Sequence, residues 1–226
     1  MRTYILAVFF SIFMTGACTQ YTDPPHMVAP RIIDQSIDTL ATFRQLENID
    51  SIDKHIPGAA GILILPHVVK GGFIAAAEAG TGVLLARTSD GSWSYPAFYV
   101  LGSGSIGLQL GVQDVSMILI IRNQGALQAV IENQGKFGAD IGLMLGYVGA
   151  GYEGSTTTNL GADIIAFMGP GMGAFGGVSL EGAALIRRND LNDYYYGAGA
   201  LPQDIVITGK YTNAGADPLR IRIDPQ

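Results

Sequence analysis

Residues 62–87, ILILPHVVKGGFIAAAEAGTGVLLAR, decide the fold because they combine short apolar runs with many small residues and few charges. Residues 62–65 have the length and composition of a buried strand, and Pro66, which cannot donate a backbone hydrogen bond, is predicted to end it. Two further strands are predicted at 72–79 and 82–87, on either side of a turn at Gly80-Thr81. Such closely spaced short strands favour antiparallel pairing.

The strand pattern continues on the C-terminal side of this stretch. Asp90-Gly91, within residues 88–92, is typical of a hairpin turn. A helix is predicted at 124–133, a last helical turn at 190–196, and a final packed element at 205–207. The remaining apolar runs predict strands at 93–101, 105–113, 115–122, 138–151, 160–168 and 173–185.

A helix is predicted on the N-terminal side. Its apolar residues recur at spacings of three and four, namely Ile33, Ile37, Leu40, Phe43 and Leu46. Its polar face carries more acidic than basic residues, whereas a helix that lies in a membrane interface carries Lys and Arg there. We therefore expect it to pack on the sheet. The predicted fold class is α+β: an N-terminal amphipathic helix, then a large, curled, mostly antiparallel, Gly-rich sheet, barrel- or sandwich-like, with short helices.

The N-terminal residues predict export. Arg2 precedes an apolar run over residues 4–14, which is too short for a membrane-spanning helix of ~20 residues and is typical of a signal peptide. Gly16-Ala17-Cys18 resembles the lipobox of bacterial lipoproteins, in which the cysteine is acylated and becomes the new N-terminus. The alternative is ordinary cleavage after Ala17, which leaves Cys18 as a free thiol.

Cys18 is the only cysteine, and a lone exported thiol would be prone to oxidation, which favours acylation. Thr19 follows it, rather than the Asp associated with inner-membrane retention, so we expect the outer membrane, facing the periplasm. The expected organisation is a signal peptide at 1–17, the lipidated cysteine and a Pro-rich tether at 18–30, and one domain at 31–226. Without residues 1–17 the chain keeps 12 basic and 19 acidic residues, an acidic balance that argues against a nucleic-acid binder.

Short motifs occur in a fixed order over residues 56–207. They are Ile56-Pro57, Lys70-Gly71, Gly80-Thr81-Gly82-Val83 with Arg87, Trp93-Ser94-Tyr95-Pro96, Gly107-Leu108-Gln109-Leu110-Gly111, Asn123-Gln124-Gly125-Ala126-Leu127, Gly177-Val178-Ser179-Leu180-Glu181-Gly182, and Asn192 with Tyr196-Gly197. In this order they resemble the SYLF domain family, lipid-binding domains found alone in bacterial exported proteins and beside Src-homology-3 modules in eukaryotic adaptors. The resemblance implies a phospholipid-binding surface. The phosphoinositide and actin ligands of the eukaryotic members do not carry over to a bacterial envelope, so the implied partner is anionic or general phospholipid.

Four residues are candidates for lipid contact. Lys70, next to two glycines, can bring an ammonium to a headgroup phosphate with little steric hindrance. Arg87 and Arg122 end apolar strands, and their guanidinium groups suit either phosphate oxygens or structural pairing with Glu181, Asp140 or Asp114. Trp93 suits either a membrane interface or the core.

Glu181 lies in an apolar, Gly-rich strand, where a carboxylate is either a proton-transfer group or, as we expect, a structural buried charge. Asp140 is the second candidate for a structural buried charge. No catalytic residue, cofactor or metal is predicted, because His26, His55 and His67 lack metal-ligand spacing and the Gly-x-Gly patterns lack a dinucleotide-site context.

The function predicted from the sequence is a non-catalytic, phospholipid-binding lipoprotein of the cell envelope. Two alternatives stay open. One is a small outer-membrane β-barrel, suggested by the glycines and the positive mean hydropathy. The other is a structural envelope module that binds a protein partner through an exposed sheet edge.

Overall fold

The computed structural model describes residues 23–46, 52–72, 75–106, 111–133, 143–147, 163–169, 172–173 and 183–224. Its helices are α1 (Pro25–Gln45), α2 (Gln124–Asn133), α3 (Asn189–Tyr196), α4 (Pro202–Val206) and α5 (Asp217–Ile223), with short 3₁₀ helices η1 (Ile52–Lys54) and η2 (Ala214–Ala216). Its strands are β1 (Gly61–Gly72), β2 (Ala75–Ala86), β3 (Ala97–Ile106), β4 (Gly111–Ile121), β5 (Leu143–Tyr147), β6 (Ile164–Met168), β7 (Met172–Gly173) and β8 (Ala184–Arg187).

The strands form one sheet in the order β5-β6-β4-β1-β2-β3-β8, and β7 pairs with β4 beside this path. All the pairs are antiparallel except β5 with β6, which is parallel. Within the described strands no pairing joins β5 to β8. The α+β prediction, with an N-terminal helix before a mostly antiparallel sheet, is confirmed.

Both faces of the sheet are buried over half of its length. Side chains alternate along a strand, so Ile62 and Ile64 pack in one core with α1, α3 and α5, while Leu63 and Leu65 pack in a second core with α2 and α4. This two-sided burial explains why the strand interiors read as continuous apolar runs rather than as alternating ones.

The central strands correct two sequence predictions. Pro66 does not end a strand, because β1 continues to Gly72 through a bulge that inserts one extra residue between Leu65 and Val68. A proline is tolerated at a bulge, where the ladder does not need its N–H. Gly80-Thr81 is not a turn: both residues lie inside β2, opposite the bulge.

The ends of the domain correct two more predictions. The tether predicted at 18–30 is wrong from Pro25 onward, because α1 begins there, with a proline in the first turn, where a missing N–H leaves no gap in the helix. The helix α5 was missed. The amphipathic stripe is confirmed, since Ile33, Leu40 and Phe43 are buried.

Other boundaries differ by a few residues. The strand predicted at 93–101 begins at Ala97, and Trp93 forms only an isolated bridge with Arg87. The predictions at 124–133 and 190–196 match α2 and α3, and 205–207 falls at the end of the helix α4. The predicted strands 138–151 and 173–185 lie partly outside the described residues. Within the described part of the chain, no helix is both long and apolar enough to cross a membrane.

Candidate functional site

The four long strands β1–β4 have two unlike ends. At the proximal end, around Gly61, Ala86, Ala97 and Ile121, helices cover both faces. At the distal end the strands run on past α1 towards Gly72, Ala75, Ile106 and Gly111. The distal end therefore offers uncovered sheet surface on the α1 side.

This surface, the distal face, is mainly apolar. Cross-strand neighbours point to the same side of a sheet, and the register places Val69 beside Ala79 and Asp114, and Gly71 beside Val112. Val69 is 46% exposed and Val112 is 65% exposed. The distal face consists of Val69, Gly71, Ala77, Ala79, Gly102, Gly104, Val112 and Asp114. Asp114 is the charged member of this set, and the small side chains around it leave the surface flat.

A cleft adjoins the distal face where α1 meets the bulge of β1. It has a volume of about 450 Å³ and shares Ala79 with the distal face. Its lining comprises Val28, Arg31, Ile32, Gln35, His67, Ala79, Gly80, Thr81 and Val100. Apolar residues thus form the walls of the cleft, and polar residues form its rim.

Two glycines of β2 make room for the bulge. A Cβ added to Gly80 would lie 2.4 Å from the carbonyl oxygen of His67, and one added to Gly82 would lie 2.1 Å from that of Ile64. Because both obstacles are backbone atoms, only glycine fits at these positions. The Gly80-Thr81-Gly82 segment and the bulge are therefore one structural unit, and it forms the floor of the cleft.

The bulge turns His67 towards α1. The Nδ1 atom of His67 lies 2.9 Å from Oδ2 of Asp114, and its Nε2 lies 3.2 Å from the side-chain nitrogen of Gln35. On the same rim, Arg31 pairs with Asp23 at 2.8 Å. Arg188 donates to the Thr81 hydroxyl at 3.1 Å. Polar side chains from α1 and from the bulge thus line one cleft, and Arg188 reaches it through the Thr81 hydroxyl.

The opposite face of the distal end carries a row of polar residues, of which Lys70 and Glu78 are buried. Gln113, Lys70, Glu78 and Ser103 are direct cross-strand neighbours on β4, β1, β2 and β3. Ser103 donates its hydroxyl to Oε2 of Glu78 at 3.1 Å, while Oε1 of Glu78 and Oε1 of Gln113 are buried without hydrogen-bond partners. Burial raises the pKa of Glu78, against the opposing effects of the Ser103 hydrogen bond and the Lys70 charge.

Lys70, one of the candidate lipid contacts, belongs to this polar row. It is 5% exposed, so its ammonium lies inside the fold rather than on an open surface. The proposed contact with a headgroup phosphate stays a prediction, and it would require the distal end to open.

Arg87 and Trp93 come together at the proximal end. Arg87 donates to Gly91 O, Ile56 O and Oδ1 of Asp224, each at 2.9 Å, and its guanidinium stacks 4.1 Å from the centre of the Trp93 ring. Trp93 is 2% exposed, and its Nε1 donates to the same Asp224 oxygen at 3.0 Å. These contacts are the structural pairing and the core packing that the sequence left as alternatives, although the acidic partner is Asp224 rather than Glu181, Asp140 or Asp114. The predicted roles of Arg87 and Trp93 in lipid contact stay predictions.

Arg122 lies apart from these residues, exposed at the proximal end of β4, where its backbone N–H donates to Asp163 O. Cys18, Asp140 and Glu181 lie outside the described residues. Sequence reasoning missed the cleft, because His67 was taken as isolated. The available signal was a Pro-His pair inside a strand, followed by two glycines two residues apart in the next strand. Among the described residues no cluster of His, Cys, Asp and Glu could hold a metal ion.

The fold and its site thus define an α+β domain built on one bulged antiparallel sheet, with a cleft beneath its first helix. A family model described as "Ysc84: Las17-binding protein actin regulator" matches residues 102–224, more than half of the chain. The chain belongs to this family, which confirms the resemblance to SYLF domains.

Curated relatives match over a larger part of the chain. The SH3 domain-containing YSC84-like protein 1 of Bos taurus is 31% identical over 175 residues, which are 74% of this chain and 50% of the relative. Its Homo sapiens counterpart is 30% identical over 80% of this chain and 54% of its own length. LAS seventeen-binding protein 3 of Saccharomyces cerevisiae (strain YJM789) is 28% identical over 80% of this chain and 40% of its own length. The chain thus spans about half the length, or less, of these relatives. No solved structure matches it.

Proposed function

We propose that this protein is a non-catalytic phospholipid-binding lipoprotein of the cell envelope, anchored through Cys18, whose domain contacts the bilayer through the distal face. The observation that carries the proposal is the distal face itself, a mainly apolar sheet surface whose two valines are 46% and 65% exposed. Contiguous apolar surface of this kind is typical of membrane or protein contacts.

The geometry of the distal face suits a flat partner. Four strands about 4.8 Å apart, with a rise of about 3.3 Å per residue, give a contact roughly 15 Å wide. Most of its residues are alanine, glycine or valine, so it has no pocket for one large anchor residue. A bilayer surface matches this shape. Asp114, opposite Val69, stands on the face with its carboxylate paired to His67, and basic Arg31 lies beside the face.

The anchor and the face would act together. One acyl chain gives only marginal membrane binding, whereas the several chains typical of lipoproteins hold firmly, so the distal face would fix how the domain lies on the leaflet rather than retain it there. Residues 19–24 separate Cys18 from α1 and can span at most about 20 Å, which would keep the domain close to the leaflet. The support for this part is the apolar run of residues 4–14 followed by Gly16-Ala17-Cys18.

The second candidate is a protein partner, favoured by the family description as Las17-binding. In this structure the surface for it would be β8, which pairs with β3 at the end of the described sheet and exposes 44% of Ile186. An open strand edge can pair with an added strand.

The test is co-sedimentation of residues 19–226, which include every described residue, with liposomes of varied anionic content. We expect binding that grows with anionic lipid and falls with salt. Val112→Asp should weaken vesicle binding about tenfold, because a buried valine contributes about 1.5 kcal/mol. The matched control is Ile221→Asp on α5, an equally exposed aliphatic residue at 71% exposure, which should bind like the parent.

Two outcomes would count against this proposal. A folded domain that binds no liposome composition would leave Cys18 as the only membrane contact and favour the protein partner. Equal loss in Val112→Asp and Ile221→Asp would show that the distal face has no special part in binding.

A further inference from the structure

We propose that the cleft between α1 and the β1 bulge binds one anionic amphiphile, with a carboxylate or phosphate head and a single alkyl chain. This inference rests on the proposed function in naming a lipid as ligand. It assigns that lipid a site of its own, separate from the contact between the distal face and a bilayer.

The walls of the cleft suit an alkyl chain. Val28 and Ile32 from α1 face Ala79 and Val100 from β2 and β3. The volume of about 450 Å³ lies at the lower end of the range for small-molecule sites, which fits one chain better than a two-chain lipid. Ala79 also belongs to the distal face, so a chain could pass from a bilayer into the cleft without crossing a polar surface.

The rim of the cleft suits an anion. The Arg31 guanidinium reaches it with 47% of its side chain exposed, and its partner Asp23 is bound only by an exposed ion pair. Such pairs contribute about 0–1 kcal/mol, so an incoming carboxylate or phosphate can replace Asp23 at low cost. A guanidinium also offers the forked donor geometry that both of these head groups accept.

Gln35 supplies the second donor. Its side-chain amide carries two N–H groups: one donates to Nε2 of His67, 3.2 Å away, and the other can donate to a head group. His67 positions this amide, because its own Nδ1–H donates to Asp114. The bulge fixes the position of His67, since the Gly80 backbone packs against the carbonyl of His67. Bulges commonly re-aim a side chain next to a binding site.

The experiment is isothermal titration of the full chain carrying Cys18→Ser, so that no acyl group of its own can enter the cleft. The probes are dodecanoate and dodecyl phosphate below their micelle concentrations, with dodecyl maltoside as the uncharged head and inorganic phosphate as the head without a chain. The Arg31→Gln/Gln35→Ala double variant removes the guanidinium and the amide from the rim. Arg31 is about half exposed and Gln35 is partly exposed, so this variant should fold. Lys210→Gln, at a similarly exposed cation far along the chain, is the matched control.

We expect one molecule of an anionic probe per chain, with binding at least about tenfold weaker in the double variant and unchanged in Lys210→Gln. Dodecanoate and dodecyl phosphate then distinguish a fatty acid from a lysophospholipid as the source of the head group. Equal affinity for dodecyl maltoside, full affinity in the double variant, or no binding of either anionic probe would overturn the proposal.

The same chains separate this inference from the proposed function. If Val112→Asp loses vesicle binding and keeps the anionic probe, both stand. If the parent binds the probe but no vesicle, the cleft stands and the distal-face proposal fails. If the parent binds vesicles but no probe, the cleft proposal fails alone.

Discussion

The two ends of the sheet differ in which polar groups are satisfied. At the proximal end Arg44 donates Nε to Asp53 and both Nη atoms to the carbonyls of Arg222 and Ile223, so that it caps α5, although Nε of Arg87 is buried without a partner. At the distal end it is carboxylate and amide oxygens, those of Glu78, Gln113 and Asp114, that are buried without partners.

The two ends also differ in how their apolar surface is covered. Proximal valines and isoleucines are buried on both faces, whereas Val69 and Val112 stand exposed on the distal face. Regions with unsatisfied groups and exposed apolar surface contribute less to stability, and binding surfaces are often found there. The comparison teaches that the proximal end holds the fold together, while the distal end leaves apolar surface exposed.

The bulge that joins the two ends should be the most sensitive point. In Gly82→Ala the added Cβ meets the Ile64 carbonyl, which cannot move without breaking the β1–β2 ladder. We expect a loss of about 3 kcal/mol in the free energy of unfolding, measured by urea denaturation.

The control is Gly102→Ala in the neighbouring strand, where an added Cβ meets nothing within 4 Å. It should change stability by less than about 1 kcal/mol. Similar losses in both variants would mean that glycine is needed for strand flexibility rather than for the bulge.

The sequence was informative wherever local pattern decides structure. The 3–4 spacing from Ile33 to Phe43 predicted α1, and Asp90-Gly91 predicted the hairpin, whose Gly91 has φ +85°. Local rules failed at Pro66 and Gly80, which were taken as a strand end and a turn. The bulge at Pro66 on β1 and Gly80 on β2 pack against each other, so neither can be interpreted from the sequence of its own strand alone.

The candidate site was less predictable for the same reason. Arg87 and Asp224 are far apart in sequence and pair only because α5 returns to the turn at residues 88–92, between β2 and β3. Lys70 looked accessible beside its glycines, yet the register places it between Glu78 and Gln113 in the polar row, where it is buried. His67 gained partners only through the bulge. Charge and residue type suggested the candidates, but only tertiary packing decided which were exposed.

The proximal end can be weakened through α3. Asn192 is fully buried, and its side chain accepts from the N–H of Phe98 at 2.8 Å and donates to the Phe98 carbonyl at 3.3 Å. Asn192→Ala leaves the Phe98 N–H buried without a partner, while the Phe98 carbonyl keeps the N–H of Arg188 at 2.9 Å, so we expect a loss of about 2 kcal/mol in unfolding free energy. Asn189→Ala, an exposed position on the same helix, should stay within about 0.5 kcal/mol. Equal effects would attribute the loss to helix propensity.

A smaller effect is expected at the C-terminal contact. Asp224→Ala removes the acceptor shared by Arg87 and Trp93, and we expect a loss of about 1 kcal/mol together with a shift in the fluorescence of the only tryptophan. Asp190→Ala is the matched control, because Asp190 is equally exposed at 49% and pairs with Arg188 away from the Trp93 ring. An unchanged spectrum in Asp224→Ala would contradict the role assigned to this contact.

The smallest effect should come from the distal row and should depend on pH. Because burial raises the pKa of Glu78 above 4.5, the folded state binds this proton more tightly than the unfolded state does. Its contribution to stability is therefore complete below pH 4.5 and is lost as pH rises through the raised pKa. In Glu78→Gln the side chain resembles the protonated carboxyl group at every pH, so this variant should keep that contribution to stability. The difference in unfolding free energy between parent and variant should thus move in favour of the variant from about pH 4 to pH 7. Glu132→Gln, at an exposed position, is the control. A difference that moved in favour of the parent would mean that the Lys70 charge outweighs burial, and that the distal row stabilises the fold as the proximal contacts do.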